Sequence, residues 1–574
     1  MKAIRKSQRG LKRDKSRQPL AFSTLVDTAK TVVHSQENVF QVSSVLWESI
    51  NSPVSLGLYL RFKYLGIQDA LAVSIDPHDY NDADKFLKDL QAVKLLSKGE
   101  YILPGVDRRA AALQNHDETE ELCRVANAQL LRPSPDVLNF LGRVRQSVSS
   151  ILGPFPGADE WADSCRFSAG TTQGGRAYLS DKLHTPTVTD AFYTLGTALV
   201  AKSPLWHSNC SVTVAAGETF SLVPKSWKTY RDIGVQPSLN IYAQLGLGRL
   251  IRLRLRRAGC DLDNGWKTNQ QLALRGSLDA SYATIDLKNA SNSLCKELVL
   301  KLLPADWFHA LNVCRCSHQI RDSGPIELHR FSAMGNGYTF ELESLIFLCI
   351  ARVCLNDLGI QRREVTVFGD DIIVPTHCFN PVVNRLRDCG FTTNLQKSFS
   401  SSYFRESCGA QYFGGRDVRP VQAKYSKENH YVPYLISLAN GLRRASSRFY
   451  LNGNRDNFVR AAWVRIIQCI PKCLREALAT TEDLGDDQRL LVDTRCTWYK
   501  PNEWHRWASN TQRVESPCLS ITQESRVIYR WDTRLLVALF LMEEREKSLR
   551  NSTVSSEVSP ISSSKELKKN GQTA

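Results

Sequence analysis

The chain has 574 residues, enough for two or three ordinary domains or for one large body of intertwined subdomains. Its 74 lysines and arginines outnumber 58 aspartates and glutamates, and the net charge of +16 favours polyanionic partners, nucleic acid ahead of an anionic membrane surface. No run of about eighteen apolar residues and no secretory-type apolar core is present, so neither a membrane span nor export is expected, and the sixteen scattered cysteines read as reduced, mostly buried thiols of a cytosolic protein.

The first eighteen residues, MKAIRKSQRGLKRDKSRQ, carry eight basic side chains and one acidic one. They read as a flexible arm that neutralises phosphates; a solvated tail and an organellar transit peptide share that composition, but no apolar face supports the latter. Further on, LVPKSWKTYRDIGVQPSLN spaces Lys225, Lys228 and Arg231 so that one extended or looped segment delivers three cations to a triphosphate or to template phosphates. An ordinary basic surface loop fits the same spacing. The run that follows, PSLNIYAQLGLGRLIRLRLRR, predicts a helix with an apolar stripe and a basic end from Arg249 to Arg257.

In SYATIDLKNASNSLCKELVL, Tyr282, Thr284 and Asp286 alternate onto one face of a short strand, and NASNSLCKELVLKLL predicts a helix stopped by Pro304. Asp286 at the strand exit is a candidate metal ligand, although aspartate at such a position is often only a cap. His309, Cys314, Cys316 and His318 lie close together, but their spacing matches none of the usual zinc patterns and no CxxC occurs, so a loop with incidental thiols is expected. FSAMGNGYTFELESLIF supplies Gly335 and Gly337 for close backbone approach, Asn336 for amide hydrogen bonds, and a long helix with Phe340, Leu345 and Leu348 facing a core.

EVTVFGDDIIVP predicts strand, tight turn and strand, with Asp370 and Asp371 at a hairpin tip. Two adjacent carboxylates there repel each other unless cations hold them, which points to a divalent-metal site. A second Gly-Asp-Asp, in TEDLGDDQRLL, sits among acidic and polar residues, so Asp486 and Asp487 are expected on an exposed loop or a helix start. The C-terminal stretch from Asn551, rich in serine and lysine, predicts disorder.

These pieces, in this order, resemble the RNA-dependent RNA polymerases of the positive-strand RNA bacteriophages, the levivirus replicase catalytic (β) subunit. The likeness is carried by MGNGYTFELESLIF, GDDIIVP, GFTTN, FRESCG and VPK..KT.R......LN...QLGLGR, across roughly residues 220 to 420. The resemblance implies an α+β right-hand fold of fingers, palm and thumb, with an antiparallel palm sheet carrying the Gly-Asp-Asp hairpin. It implies a basic arm over 1–40, a region contributing to the fingers over 41–205, fingers with the basic loop over 206–275, palm over 276–425, thumb over 426–545 and a disordered tail over 546–574.

On the same resemblance, Asp286, Asp370 and Asp371 hold two Mg²⁺ ions, with Mn²⁺ as a substitute. Lys225, Lys228 and Arg231 neutralise incoming nucleotide phosphates, while Ser332, Gly335, Asn336 and Thr339 lie beside the nucleotide sugar and the template base. Lys397 in GFTTNLQKSFS is a candidate proton donor to pyrophosphate, with a phosphate-binding or surface lysine as the alternative. FRESCGAQYFGGRDV resembles the palm-to-thumb hairpin beneath the growing 3′ end. Two positions depart from the family: its second aspartate, six residues after the first, is Asn292 here, a nucleotide-binding candidate near the ribose hydroxyls, and the acid before P.LN is Gln236. The expected activity is template-directed RNA synthesis in the cytoplasm of a bacterial host. The partners implied are template and nascent RNA, ribonucleoside triphosphates, host elongation factors Tu and Ts, and in some cases a ribosomal protein. A reverse transcriptase-like enzyme and a non-catalytic RNA-binding protein are the alternative readings.

Overall fold

A computed structural model of the chain describes residues 35–174, 182–183, 185–203, 211–361, 364–425, 431–446, 457–481, 483, 487, 489–492, 506–508 and 513–515. The expectations for residues 1–34, for Asp486 and for the tail after 546 lie outside these residues, as does most of the chain after 492. A helix, Gln36–Ile50, already begins inside the stretch assigned to the arm. The chain divides into two compact units, one made by residues 50–426 and the other including residues up to 49 and 427–524.

In the larger unit, helix α1 (Arg108–Leu131) precedes the hairpin β1 (Glu218–Pro224) and β2 (Tyr230–Val235), which is followed by helices α2 (Ser238–Arg257) and α3 (Gly265–Asp279). Strand β3 (Tyr282–Ile285), helix α4 (Lys296–Leu302), and strands β4 (His318–Arg321) and β5 (Gly324–Glu327) come next. Helix α5 (Thr339–Asp357) then leads to strands β6 (Thr366–Phe368) and β7 (Asp371–Pro375), and the hairpin β8 (Phe404–Ser407) and β9 (Ala410–Phe413) closes the series. The architecture mixes helices with small sheets. One four-stranded sheet has the order β2-β1-β4-β5, and a three-stranded sheet has the order β3-β7-β6 with both pairings antiparallel.

The core forms around α5, whose buried residues run nearly all round it, including Leu342, Leu345, Ile346, Phe347 and Leu348. A helix apolar on every side is stable only when other elements enclose it. Here α2 packs on one part of it and β6 and β7 on another. The three-stranded sheet is likewise covered, since every residue of β3 is buried and so are Ile372 to Pro375 of β7. Two-sided burial explains why β3 and β7 read as nearly continuous apolar runs.

The helix predicted from Asn289 onward is shorter than its pattern. Residues Ala290–Asn292 form a 3-10 turn, and the α-helix begins only at Lys296. Asn289 takes a left-handed backbone (φ 50°), and its side-chain amide donates to Asn115 and Thr119 of α1 at 2.9 Å each. Tertiary hydrogen bonds thus outweigh local helix propensity at this point. Among the described residues, no helix is long and apolar enough to cross a membrane.

Candidate active site

The hairpin β6–β7 pairs Phe368 with Asp371, leaving Gly369 and Asp370 as a two-residue turn. Gly369 has φ +63°, which suits glycine at the first position of such a turn. Its N–H donates to Ser344 Oγ of α5 at 2.9 Å, and a Cβ built on it would lie 2.6 Å from the Phe340 ring. The turn is therefore clamped by the helix behind it.

The neighbouring strand β3 runs antiparallel to β7 with Ile285 opposite Ile372. Asp286 follows Ile285 directly, so the register brings it to the end of the sheet where Asp371 and the turn lie. The GFTTN segment holds it there. Asn394 Nδ2 donates to Asp286 Oδ2 at 2.8 Å, and the Asp286 N–H donates to Ser398 Oγ at 3.0 Å. Burial raises the Asp286 pKa above the ordinary carboxylate value; Lys397 and Asn394 oppose that shift, and Asp370 adds to it. Lys397 itself is exposed.

Asp371 is supported from the other side. Ser407 Oγ donates to its Oδ1 at 3.2 Å, from the end of β8. The β8–β9 turn uses Cys408 and Gly409, both at positive φ (48° and 73°), the pattern of a type I′ hairpin. Burial, the charge of Asp370 and that of Asp286 together push Asp371 up to about 6, against hydrogen bonds from Cys408 and Ser407. Arg405, fully buried, fixes this hairpin to the sheet by donating to the carbonyl oxygens of Tyr282, Ser400, Ser402 and Phe404.

A fourth acid, not singled out in the sequence, completes the group. Glu343 of α5 is 3% exposed, and its Oε2 accepts a hydrogen bond from Ser291 at 2.9 Å. Burial and then the charge of Asp370 raise its pKa well above the ordinary value. Its signal in the sequence is a lone acid inside the otherwise apolar run LESLIFLCIA. Among the described residues, no three acidic, histidine or cysteine side chains stand close enough together to grip an ion as placed. The donor set is nonetheless the hard-oxygen one that Mg²⁺ takes, and the raised pKa values of Asp286, Asp371 and Glu343 mark a site short of positive charge.

The three basic candidates lie on the β1–β2 hairpin. Lys225 and Lys228 are in its connecting loop, and Arg231 on β2 is opposite Val223. Lys225 is exposed overall, yet desolvation, Arg231 and Lys397 hold its ammonium below the ordinary lysine value, while Asp232 and Asp286 pull the other way. Lys225 thus senses both the acidic group and the other cations. Lys228 lies over the Trp227 ring at 5.0 Å.

The glycine loop is built against the same hairpin. Gly335 (φ +118°) comes so near β2 that a Cβ there would lie 2.3 Å from the Gly234 carbonyl oxygen. Gly335→Ala is therefore expected to displace the loop and to cut activity at this centre about 10²-fold, the scale of an ångström's misplacement in an active site. Steady-state kinetics checks this, and wild-type rates in the variant would show that the close approach is not needed. Asn336 Oδ1 accepts from the Ala333 N–H at 2.9 Å, and Thr339 Oγ1 donates to the Ala333 carbonyl at 2.9 Å. Ser332 is 2% exposed, and its hydroxyl has no partner.

Asn292 is buried between these elements. Its Nδ2 donates to Asp232 Oδ2 at 2.8 Å, and its Oδ1 accepts the Met334 N–H at 2.9 Å. Burial works against the Asp232 charge, but His116 at 2.8 Å and the nearby Arg330 hold its pKa below the ordinary value. Gln236 is also buried, donating to Glu218 Oε2 at 2.6 Å. Neither departure from the family pattern leaves an unfilled place.

The remaining candidates are Asp487 and the cysteine and histidine cluster around Cys314. Asp487 has φ 52° and is half-buried rather than freely exposed; it accepts from Arg444 at 2.8 Å, Ser437 at 2.9 Å and Asn440 at 3.2 Å. That carboxylate braces a loop. Cys314 is fully buried with its thiol directed to the Ala310 and Leu311 carbonyls, whereas His309 is exposed.

The family described as RNA replicase, beta-chain, matches residues 45–556. The chain belongs to the RNA replicase beta-chain family. It is 35% identical over 424 residues to the RNA-directed RNA polymerase subunit beta of Escherichia virus Qbeta, covering 71% of this chain and 70% of that one. To the RNA-directed RNA polymerase beta chain of Enterobacteria phage fr it is 32% identical over 434 residues, 72% of this chain and 76% of that one. A solved BmCPV RNA-dependent RNA polymerase at elongation state aligns with a TM-score of 0.37 and 11% identity, over 76% of this chain and 41% of that one, too slight a likeness to bear on the fold. The match takes in the acidic centre, the glycine loop and the basic hairpin alike.

Proposed function

We propose that this replicase beta-chain, an RNA-directed RNA polymerase by family, joins ribonucleotides at the centre formed by Asp286, Asp370 and Asp371. The observation that carries the proposal is the β3–β7–β6 register, which brings an acid at a strand exit to the same end of the sheet as two acids at a hairpin turn. In this reading the sheet is the palm of a right-hand fold, and the β1–β2 hairpin belongs to the fingers. Two Mg²⁺ ions held by the three aspartates, or Mn²⁺ in their place, would lower the pKa of the attacking 3′ hydroxyl and stabilise charge on the leaving oxygen.

The chain's own residues supply the rest. Lys225, Lys228 and Arg231 neutralise the triphosphate, Ser332, Gly335, Asn336 and Thr339 form the wall beside the sugar and template base, and Asn292 faces the ribose. Lys397, exposed and electrostatically linked to Asp286, delivers a proton to departing pyrophosphate. The basic surface holds template RNA, so binding weakens steeply with salt. Host elongation factors Tu and Ts, joined in some family members by a ribosomal protein, complete the assembly in the bacterial cytoplasm.

The test is incorporation of labelled ribonucleotides, and separately deoxynucleotides, on an RNA template with Mg²⁺, with and without bacterial extract. Asp370→Asn should lower incorporation by about 10³-fold or more while template affinity stays near wild type. RNA binding without any Asp370-dependent product would leave the chain as a binding protein.

A further inference from the structure

The buried polar residues that the mechanism leaves unused gather around Asp232. Three side chains from separate elements converge on its Oδ2: His116 Nδ1 of α1 at 2.8 Å, Asn292 Nδ2 at 2.8 Å, and Arg330 Nη1 at 3.6 Å. All four residues are more than nine-tenths buried. Asn292 passes this constraint on to the glycine loop, since its Oδ1 accepts the N–H of Met334, immediately before Gly335. The same loop is tied to β2 by the Gly234 N–H donating to the Met334 carbonyl at 2.9 Å.

A carboxamide has one accepting end and one donating end. Met334 requires the acceptor, and Asp232 requires the donor. The orientation of Asn292 is therefore set from both sides, and one hydrogen on Nδ2 remains beyond the bond to Asp232. An aspartate at 292 would still satisfy Met334, but it would set a second carboxylate at hydrogen-bond distance from Asp232, where two like charges do not both ionise.

We propose that Asp232 is a positioning residue for sugar selection: it aims the Asn292 amide, through a pair made of one carboxylate and one amide, at the hydroxyls of the incoming ribonucleotide. The inference rests on the reading that Asn292 faces the nucleotide sugar. The charge of the pair sits on β2 rather than at position 292, and the amide at 292 is the form that Asp232 demands.

The experiment compares kcat/KM for a ribonucleoside triphosphate and its deoxy counterpart, using the full chain purified with the bacterial proteins that accompany it. Asn292→Ala should lower the ribose-to-deoxyribose ratio about tenfold, the range expected when a sugar-hydroxyl contact is lost. Asp232→Asn should lower it by a similar factor, mainly through the ribonucleotide KM, with kcat changed less than about threefold. Asn292→Asp should be impaired, and the double variant Asp232→Asn/Asn292→Asp, which restores one carboxylate facing one amide, should return to within about threefold of wild type.

An unchanged ratio in Asp232→Asn, or a double variant as poor as the product of its singles, overturns the proposal. If Asp232→Asn does not fold, Asn292→Asp alone and in the double variant still decides it, because only the double keeps the pair. An unchanged ratio in Asn292→Ala overturns the placement of position 292 at the sugar, whereas a shift there with none in Asp232→Asn overturns only the role of Asp232.

Discussion

Asp371→Asn is expected to stop nucleotide incorporation and, at the same time, to make the metal-free protein more stable at neutral pH. Asp371 is raised from its ordinary 3.8 to about 6 by burial and by Asp370 and Asp286. The sign follows from proton linkage: a carboxylate whose folded pKa lies above its unfolded value favours folding fully only below the unfolded value, and that contribution is lost as pH rises through the folded one. Relative to acid conditions, the metal-free protein at pH 7.5 thus carries a penalty of about 3 kcal/mol from this group, to order of magnitude. Asparagine keeps the shape and an acceptor for Ser407, but carries no charge. In chelator, the variant should unfold at higher temperature than wild type at pH 7.5, by a margin equivalent to about 1–3 kcal/mol, and the gap should close near pH 4. Mg²⁺ should raise the melting temperature of wild type more than that of the variant, because the ions satisfy the charge that asparagine lacks. A variant less stable than wild type in chelator at pH 7.5 would mean that the three aspartates are not in electrostatic conflict.

How much of this was readable beforehand depends on how local each cause is. The β6–β7 hairpin is local: alternation in EVTVF, a glycine able to take φ +63° and a β-branched run after it leave few other folds for twelve residues. Asp286 needed one longer step, since strand exit is local but adjacency to Asp371 depends on the pairing of β3 with β7. Glu343 was harder to see. Inside a helix, a single acid is unremarkable until the Gly-Asp-Asp turn is known to pack on that face. The Asp232 cluster was hidden because His116, Asn292, Arg330 and the hairpin that carries Glu218 and Asp232 are four distant segments, each with an ordinary local pattern. Asn292 likewise looked helical, and only Asn289, pulled into a left-handed backbone by Asn115 and Thr119, reveals why it is not.

The same cluster yields the largest expected loss of stability. Arg330 is 1% exposed and lies among three carboxylates: Glu218 at 3.0 Å, Glu120 at 3.2 Å and Asp232 at 3.6 Å. Glu218 also accepts from Gln236 at 2.6 Å and Gln319 at 2.8 Å, but both are neutral amides. Removing the guanidinium leaves Glu218 with no cation among these partners and takes from Asp232 the guanidinium at 3.6 Å. Breaking a buried ion pair from one side costs about 3–5 kcal/mol, because the partner charge remains desolvated. Arg330→Met should lose about that much in urea unfolding, a large part of the stability of an ordinary domain. Arg330→Lys keeps the charge but offers no planar fork to carboxylates on different sides, so it should recover only part of the loss. The double variant Arg330→Met/Glu218→Gln should recover part of the loss, since a neutral amide needs no counter-charge, although its single accepting end keeps only one of the bonds that Gln236 and Gln319 donate to the two Glu218 oxygens. Equal stabilities for Arg330→Met and wild type would mean that these carboxylates are already protonated in the folded protein, and the cluster would then be held by hydrogen bonds instead of charge.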